Sequence, residues 1–336
     1  MPSGRFSSRG PTPVFKPMCI EARGIITFPV IQINTHLQPT VRVTLSVVRP
    51  FDPWRNPLCT CPPKYGLNPY TGCGHGCLYC YITSYIPNAF NPRPKERLME
   101  LVRRDLEKIP RGAVVALSNS SDPYTPPEAQ LGLTRKVLEA LLERGYRVLI
   151  TTKSPLVLRD LDILAKHRER VAVQITITTL REELAERLEP RAPRPRGRLD
   201  AVKKLAEAGI KVTVRLDPLI PYLNDDEENI EEVASSAAAA GAVHLVASTY
   251  KAKRDNFARL ANAFPDKAPL WRDLYFEKGQ YFHGQWYAPA DYRRRVLAAA
   301  AEAARRHGLQ FTICREEFLD LNTPGAYCDG SHLLQR

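Results

Sequence analysis

Three cysteines, Cys73, Cys77 and Cys80, stand in the run Tyr70-Thr-Gly-Cys-Gly-His-Gly-Cys-Leu-Tyr-Cys-Tyr81. Their spacing offers three thiolates where a closed metal site needs four ligands. Soft thiolates select iron–sulfur clusters, zinc or Cu(I), and a [4Fe-4S] cluster held by three cysteines keeps one iron open for another molecule. Gly72, Gly74 and Gly76 let the chain wrap closely round an inorganic core, because glycine tolerates conformations that other residues avoid. Tyr79 and Tyr81 are placed to screen that core from water. The alternative is a zinc knuckle completed by His75 or by a distant fourth ligand, although His75 reads better as a loop residue than as a ligand.

The elements that must position these thiols read as repeated βα units. From residue 67 onward, apolar β-type runs alternate with helical patterns, as in parallel sheets. The expected strands are Leu67–Tyr70, Ala113–Ser118, Arg147–Thr152, Ala172–Thr178, Lys211–Pro218 and Ala242–Ser248. The expected helices lie near 94–108, 130–143, 156–167, 181–188, 197–208 and 227–240, several closed by a glycine such as Gly145, Gly209 or Gly241. Six strands imply an α/β fold with an open, partial (β/α)6 TIM-type barrel. Ala172-Val-Gln-Ile-Thr-Ile-Thr178 carries polar groups at alternate positions that suit a polar lumen.

Ligands of parallel barrels gather at the C-terminal ends of the strands, and those ends turn polar here. The second strand runs into Ser118-Asn-Ser-Ser-Asp-Pro-Tyr124, the third into Thr151-Thr-Lys-Ser154, the fourth into Thr176–Thr179, the fifth into Arg215–Pro218 and the sixth into Ser248–Tyr250. A carboxylate in a partly dry site wants a cation and hydroxyl donors. Lys153 with Ser121 and Ser154 supplies both, and Arg215 is a second cation. The competing reading pairs Lys153 with a structural acid, Asp122 or Asp217.

The C-x3-C-x2-C spacing with an aromatic before the third cysteine resembles the radical SAM superfamily. Asn68-Pro-Tyr-Thr-Gly-Cys73, Ser121-Asp-Pro-Tyr124, Leu131–Arg135, Ile150-Thr-Thr-Lys-Ser154, Thr176–Thr179 and Leu188-Glu-Pro-Arg-Ala-Pro193 resemble the branch that contains spore photoproduct lyase and its lyase-like relatives. The resemblance spans roughly residues 50–260. It implies that S-adenosylmethionine occupies the open iron and is cleaved by one electron to a 5′-deoxyadenosyl radical, which removes hydrogen from a substrate. It further implies that Ser121 and Lys153 hold the methionyl carboxylate, with Thr176 or Thr178 nearby and Tyr79 close to the adenine. One departure weighs against photoproduct repair itself. That reaction uses a cysteine near the end of the second strand, where this chain has Leu117-Ser-Asn-Ser-Ser121. The hydrogen donor would then be another residue such as Tyr124.

Length and composition agree with one catalytic body. At 336 residues and 44% hydrophobic content the chain can bury a large core. No run approaches the roughly 18 apolar residues of a membrane span, and no secretory signal is visible, which places the chain in the cytoplasm. Eight cysteines in such a setting favour metal or redox chemistry over disulfides. Residues 1–50 read as an N-terminal extension, 51–260 as the radical SAM core, and 261–336 as an aromatic and helical extension packing on the barrel. That last part holds a helix near 291–307, a seventh strand near Gln310–Cys314, and Tyr250, His283 and Trp286 as substrate contacts at or near its start.

A net charge of +12 admits a nucleic-acid partner without requiring one. The denser clusters, Arg191–Arg198 and Arg293–Arg295, read first as solvent-facing charge and second as a phosphate-tracking groove. The alternatives to a radical SAM enzyme acting on nucleic acid are a DNA photoproduct lyase proper and a non-enzymatic, metal-stabilised nucleic-acid-binding module. The reductant protein is left open. Finally, Cys59, Cys61, Cys314 and Cys328 number the four thiolates that a closed zinc or auxiliary iron–sulfur site needs. Buried free thiols or disulfides are their other reading, and Cys19 is left over.

Overall fold

Apolar runs buried on both faces organise the chain. The computed structural model describes residues 44–51, 56–118 and 120–334, all within the unit Val43–Arg336. Cys19, Asn119 and nearly all of the expected N-terminal extension lie outside the described residues. The main sheet has eight strands in the spatial order β1 (Arg49–Pro50), β2 (Tyr65–Leu67), β5 (Val114–Leu117), β6 (Arg147–Thr152), β7 (Val171–Thr176), β8 (Lys211–Leu219), β9 (His244–Thr249) and β12 (Gln310–Ile313). All neighbours from β2 onward run parallel, and only β1 is antiparallel. Two small ladders accompany it, β3 (Tyr70–Thr71) with β4 (Arg93–Pro94), and β10 (Gln280–Phe282) with β11 (Gln285–Tyr287).

Each strand of β7 and β9 is buried along its whole length, as expected where helices cover the outer face and a lumen lies inside. The outer layer consists mainly of the helices Leu98–Leu106, Leu133–Leu142, Leu161–Lys166, Pro195–Glu207, Glu227–Ala239 and Ala290–Arg306. The last two present Ala234, Ala237, Ala300, Ala301 and Ala304, all buried, and such small side chains let helix and sheet approach closely. The expected strands are all present to within a few residues. The helical stretch expected at 156–167 is instead a 3-10 turn, Pro155–Asp160, followed by the short helix Leu161–Lys166.

Residues 261–336 do more than pack on the barrel. They contribute β12 to the sheet and the helix Ala290–Arg306 to its outer layer. The end of the chain also enters the lumen. Leu334 packs with Ala116, Leu149 and Ala172, and the Gln174 side-chain amide donates to the Cys328 carbonyl at 3.0 Å. Small inward residues on β5 and β7 leave the room for this plug.

The edge strand β1 is anchored by a carboxylate. Asp105 Oδ2 accepts from the backbone N–H groups of Ser46, Val47 and Val48 at 2.8, 2.7 and 3.0 Å. An acceptor that satisfies several buried donors cannot be lost cheaply. Asp105→Ala is expected to cost about 3 kcal/mol in urea unfolding, by the same principle of unmade buried bonds, whereas Asp200→Ala at an exposed position leaves the midpoint nearly unchanged.

Candidate active site

The cysteine run forms a loop after β3 that other segments hold at its backbone. Cys73 N donates to Ala89 O at 2.7 Å and Leu78 N to Leu188 O at 2.9 Å, while His75 O accepts from Arg191 N at 3.1 Å. Gly76 has φ +67°, and a Cβ there would meet Arg191 Nε at 2.8 Å. Glycine at 76 is therefore favoured by its left-handed conformation, and a larger residue would also have to displace the Arg191 guanidinium. Three further clamps come from the helix Arg254–Ala263: Arg259 donates to Leu78 O at 3.0 Å and to Cys80 O at 2.6 Å, and Asn256 donates to Tyr79 O at 3.1 Å.

Cys73, Cys77 and Cys80 line a cavity of about 790 Å³ at the C-terminal ends of the strands, together with Tyr79, Ser121, Lys153, Thr176 and Arg215. Burial pushes the Cys77 thiol up to about 12, against the pull of Lys153. Burial likewise raises Cys73 and Cys80, although the backbone N–H groups of His75 and Ile82 bond their sulfurs and favour thiolates. Buried thiols that receive N–H donors and face cations are suited to soft-metal thiolate bonding, in which the metal displaces the proton. Among the described residues no group of three Cys, His, Asp or Glu side chains already stands in position around a metal ion. The donor types fit a three-thiolate cluster, and loading it takes rotation of the thiols.

Asp122 joins this loop to the sheet. Its carboxylate accepts from Thr152 Oγ1 at 2.6 Å, Lys153 N at 2.8 Å and Tyr124 N at 2.9 Å, and meets His75 Nε2 at 3.0 Å. His75 is thus a brace and not a ligand. The charged end of Lys153 is left facing the cavity, 5.5 Å from the Tyr79 ring centroid. Although burial pulls the Lys153 ammonium down, Cys77 and Glu189 raise it above its ordinary value, so it is positive at neutral pH. Neither acid of the competing reading pairs with it, since Asp122 faces His75 and Asp217 faces Arg215 at 2.6 Å.

Beneath the loop lies Glu189. It accepts from the hydroxyls of Tyr79 and Thr178 and pairs with Arg198, which itself bonds Thr176 O at 3.2 Å and Pro193 O at 2.8 Å. Burial would push the Glu189 carboxyl up, but Arg198 and Lys153 bring it from 4.5 down to about 2.

The expected site residues divide into two groups. Tyr79, Ser121, Lys153, Thr176 and Arg215 reach the cavity. Arg215 is engaged there by Asp217, by Gln174 Oε1 at 3.1 Å and by the Cys328 carbonyl at 3.0 Å, so it is a less free cation than Lys153. Ser154 caps the 3-10 turn by accepting from Leu156 N, and Thr178 is spent on Glu189. Tyr124 is buried, absent from the cavity wall, and donates to Asp160 at 3.0 Å; the structure does not place it where a substrate hydrogen could be returned. Tyr250 lines the cavity, while His283 is exposed and Gln285, not Trp286, reaches the wall.

Sequence reasoning missed several members. Ser118, at φ +66°, lines the cavity with a buried hydroxyl that has no partner among the described residues. Lys251 bonds Ser248 and Glu316 at 2.7 Å each, and Glu316 also binds Arg293 at 2.6 Å. Arg198 and Arg293 are 1% and 2% exposed, so the two arginine clusters each hold an internal clamp that neither a solvated surface nor a phosphate groove explains. The only sequence signal for Glu189 and Arg198 was their place in or beside Leu188-Glu-Pro-Arg-Ala-Pro193.

Glu189→Gln leaves two buried cations uncompensated, which is expected to cost about 3 kcal/mol at pH 7. Because the carboxyl is depressed in the folded state, its contribution is fully present above its ordinary value and is lost between pH 4.5 and about 2. Urea midpoints of wild type and variant should therefore converge below about pH 4, by about 1.4 kcal/mol per pH unit.

Residues 67–234 match the description Radical SAM superfamily. An uncharacterized protein of the Acidianus two-tailed virus, ORF301, is 31% identical over 237 residues, 65% of this chain and 77% of that protein. The Radical SAM Nalpha-GlyT isomerase of Pseudomonas phage M6 is 25% identical, over 62% of this chain and 45% of that enzyme. Among solved structures, spore photoproduct lyase complexed with dinucleoside spore photoproduct superposes with a TM-score of 0.58 at 19% identity, covering 74% of this chain and 76% of that one. That likeness is one of fold.

Proposed function

The chain belongs to the radical SAM superfamily, and from that premise we propose that it uses a [4Fe-4S] cluster on Cys73, Cys77 and Cys80 to cleave S-adenosylmethionine and abstract hydrogen from a nucleic-acid substrate. The observation that carries this reading is the opening of three thiols, a cationic Lys153 and the hydroxyls of Ser121 and Thr176 onto one cavity. A cluster held by Cys73, Cys77 and Cys80 would pass one electron, received from an external reductant, to S-adenosylmethionine for its reductive cleavage.

The chain's own residues then have separable tasks. Lys153 provides a fixed positive charge for a carboxylate, worth more in a partly dry cavity than in water. Ser118, whose hydroxyl has no partner among the described residues, adds a donor at the end of β5, where the Ser121 hydroxyl is held by the Tyr70 carbonyl at 3.3 Å and would exchange that bond for a ligand. Asp122 keeps the cysteine loop and the Lys153 backbone in register. Tyr79, Tyr81 and Tyr250 on the wall exclude water, which protects a reactive radical from side reactions.

Two findings support a nucleic-acid substrate. The name of one structural neighbour states a dinucleoside ligand, and Arg49 and Lys95 add cations to the cavity wall. A photoproduct lyase proper is less well supported, because β5 runs into Ser118, Ser120 and Ser121 without a cysteine. Among the described residues no helix is long and apolar enough to cross a membrane.

Lys153→Ala is expected to weaken S-adenosylmethionine binding at least about 10-fold, consistent with loss of a charge-assisted contact, while iron content stays at the wild-type level. Equilibrium dialysis of the anaerobic protein reads it, and unchanged affinity would reject the carboxylate clamp. The substrate class is tested with oligonucleotides deuterated in sugar and base. Deuterium appearing in 5′-deoxyadenosine supports the reading, and transfer only from peptides overturns it.

A further inference from the structure

The cavity that holds the first cysteine set also reaches the second. Cys59, Cys61, Cys314 and Cys328 all line it. Cys61 Sγ lies 3.4 Å from Cys328 Sγ, and Cys59 and Cys314 stand close enough to perturb the ionisation of Cys61 and Cys328. None of the four is in a disulfide. They arrive from three places: the segment before β2, the residue after β12, and the C-terminal plug. Strands β2 and β12 lie towards opposite ends of the strand order, so no ladder joins them. The thiols meet where the barrel does not close.

We propose that Cys59, Cys61, Cys314 and Cys328 form a second metal centre, a four-thiolate site for a soft metal that ties the two sides of the open sheet to the C-terminal plug. Thiolates about 2.3 Å from a tetrahedral ion stand about 3.8 Å apart, close to the contact between Cys61 and Cys328. The surroundings offset the negative charge of such a centre. Lys64, whose side chain is 2% exposed, favours the Cys61 thiolate by its charge and pairs with Asp329 at 2.7 Å. The Arg215 guanidinium holds the Cys328 carbonyl at 3.0 Å. Among the described residues one sulfur pair is in contact and the shell is not assembled, and closing it takes side-chain rotation at Cys59 and Cys314, which are only partly buried. On binding, the thiols release their protons to solvent and the sulfur lone pairs form the metal bonds, with no change of oxidation state.

The test is independent of the first cysteine set. The full chain carrying Cys73→Ala, Cys77→Ala and Cys80→Ala is purified anaerobically, and zinc, iron and acid-labile sulfide are quantified. The expected result is metal stoichiometric with the chain, lost when Cys61→Ser and Cys328→Ser are added, with a lower melting temperature. Zinc without sulfide identifies a single ion, and iron with sulfide identifies a cluster. Should the triple variant not fold, Cys61→Ser/Cys328→Ser is compared with wild type, and the same loss of metal is expected while the iron held by the first set is retained. Unchanged metal content in that variant, four freely titrating thiols without metal, or a Cys61–Cys328 disulfide would each overturn the proposal.

Discussion

The buried pair of Glu189 and Arg198 is the contact on which the cavity depends. A single carboxylate there neutralises Arg198, offsets Lys153, and receives the hydroxyls of Tyr79 and Thr178. The same segment supplies the backbone partners of Leu78 and His75. Buried charges are tolerated only when paired and hydrogen-bonded, and this one is both. The result is a cysteine loop held beside a compensated charge pair, whose thiols, raised by burial, give up their protons when a metal displaces them.

Rigidity around that loop comes from elements far apart in the chain. Asp122 links it to β6, Arg191 to the segment before the helix Pro195–Glu207, and Arg259 with Asn256 to a helix beyond β9. Asp122 grips the His75 ring and the other clamps act on backbone groups, so the sulfurs are left to the cavity. Such division between structural and reactive groups is what a preorganised site requires. Glycine between the cysteines fits the same packing, since a Cβ at Gly74 would meet the Pro126 ring at 2.8 Å and Gly76 adopts φ +67°.

Much of the fold was legible because parallel strands buried on both faces announce themselves as apolar runs, and their polar ends mark the cavity. Lys153, Ser121 and Thr176 reach the cavity from such polar ends, whereas the three cysteines on the same wall were read from their spacing. Ser154 and Thr178 were misplaced because a hydroxyl at a strand end can cap a turn or bind a carboxylate as readily as a ligand. Glu189, Arg198, Lys251, Glu316 and Arg293 were hidden because burial of a charge depends on a partner from another segment, and a local pattern of mixed charges resembles a solvated helix face. The C-terminal plug was invisible for a related reason. It is admitted by small residues on other strands, Ala116 and Ala172, and not by any periodicity of its own.

The central claim is that three thiols and a buried lysine make one chamber for reductive cleavage of S-adenosylmethionine. The most direct measurement is 5′-deoxyadenosine formed when the anaerobically reconstituted protein receives dithionite and S-adenosylmethionine. The account predicts 5′-deoxyadenosine and methionine in equal amounts from the wild type and none from Cys77→Ala. A cluster-loaded wild type that leaves S-adenosylmethionine intact would contradict it.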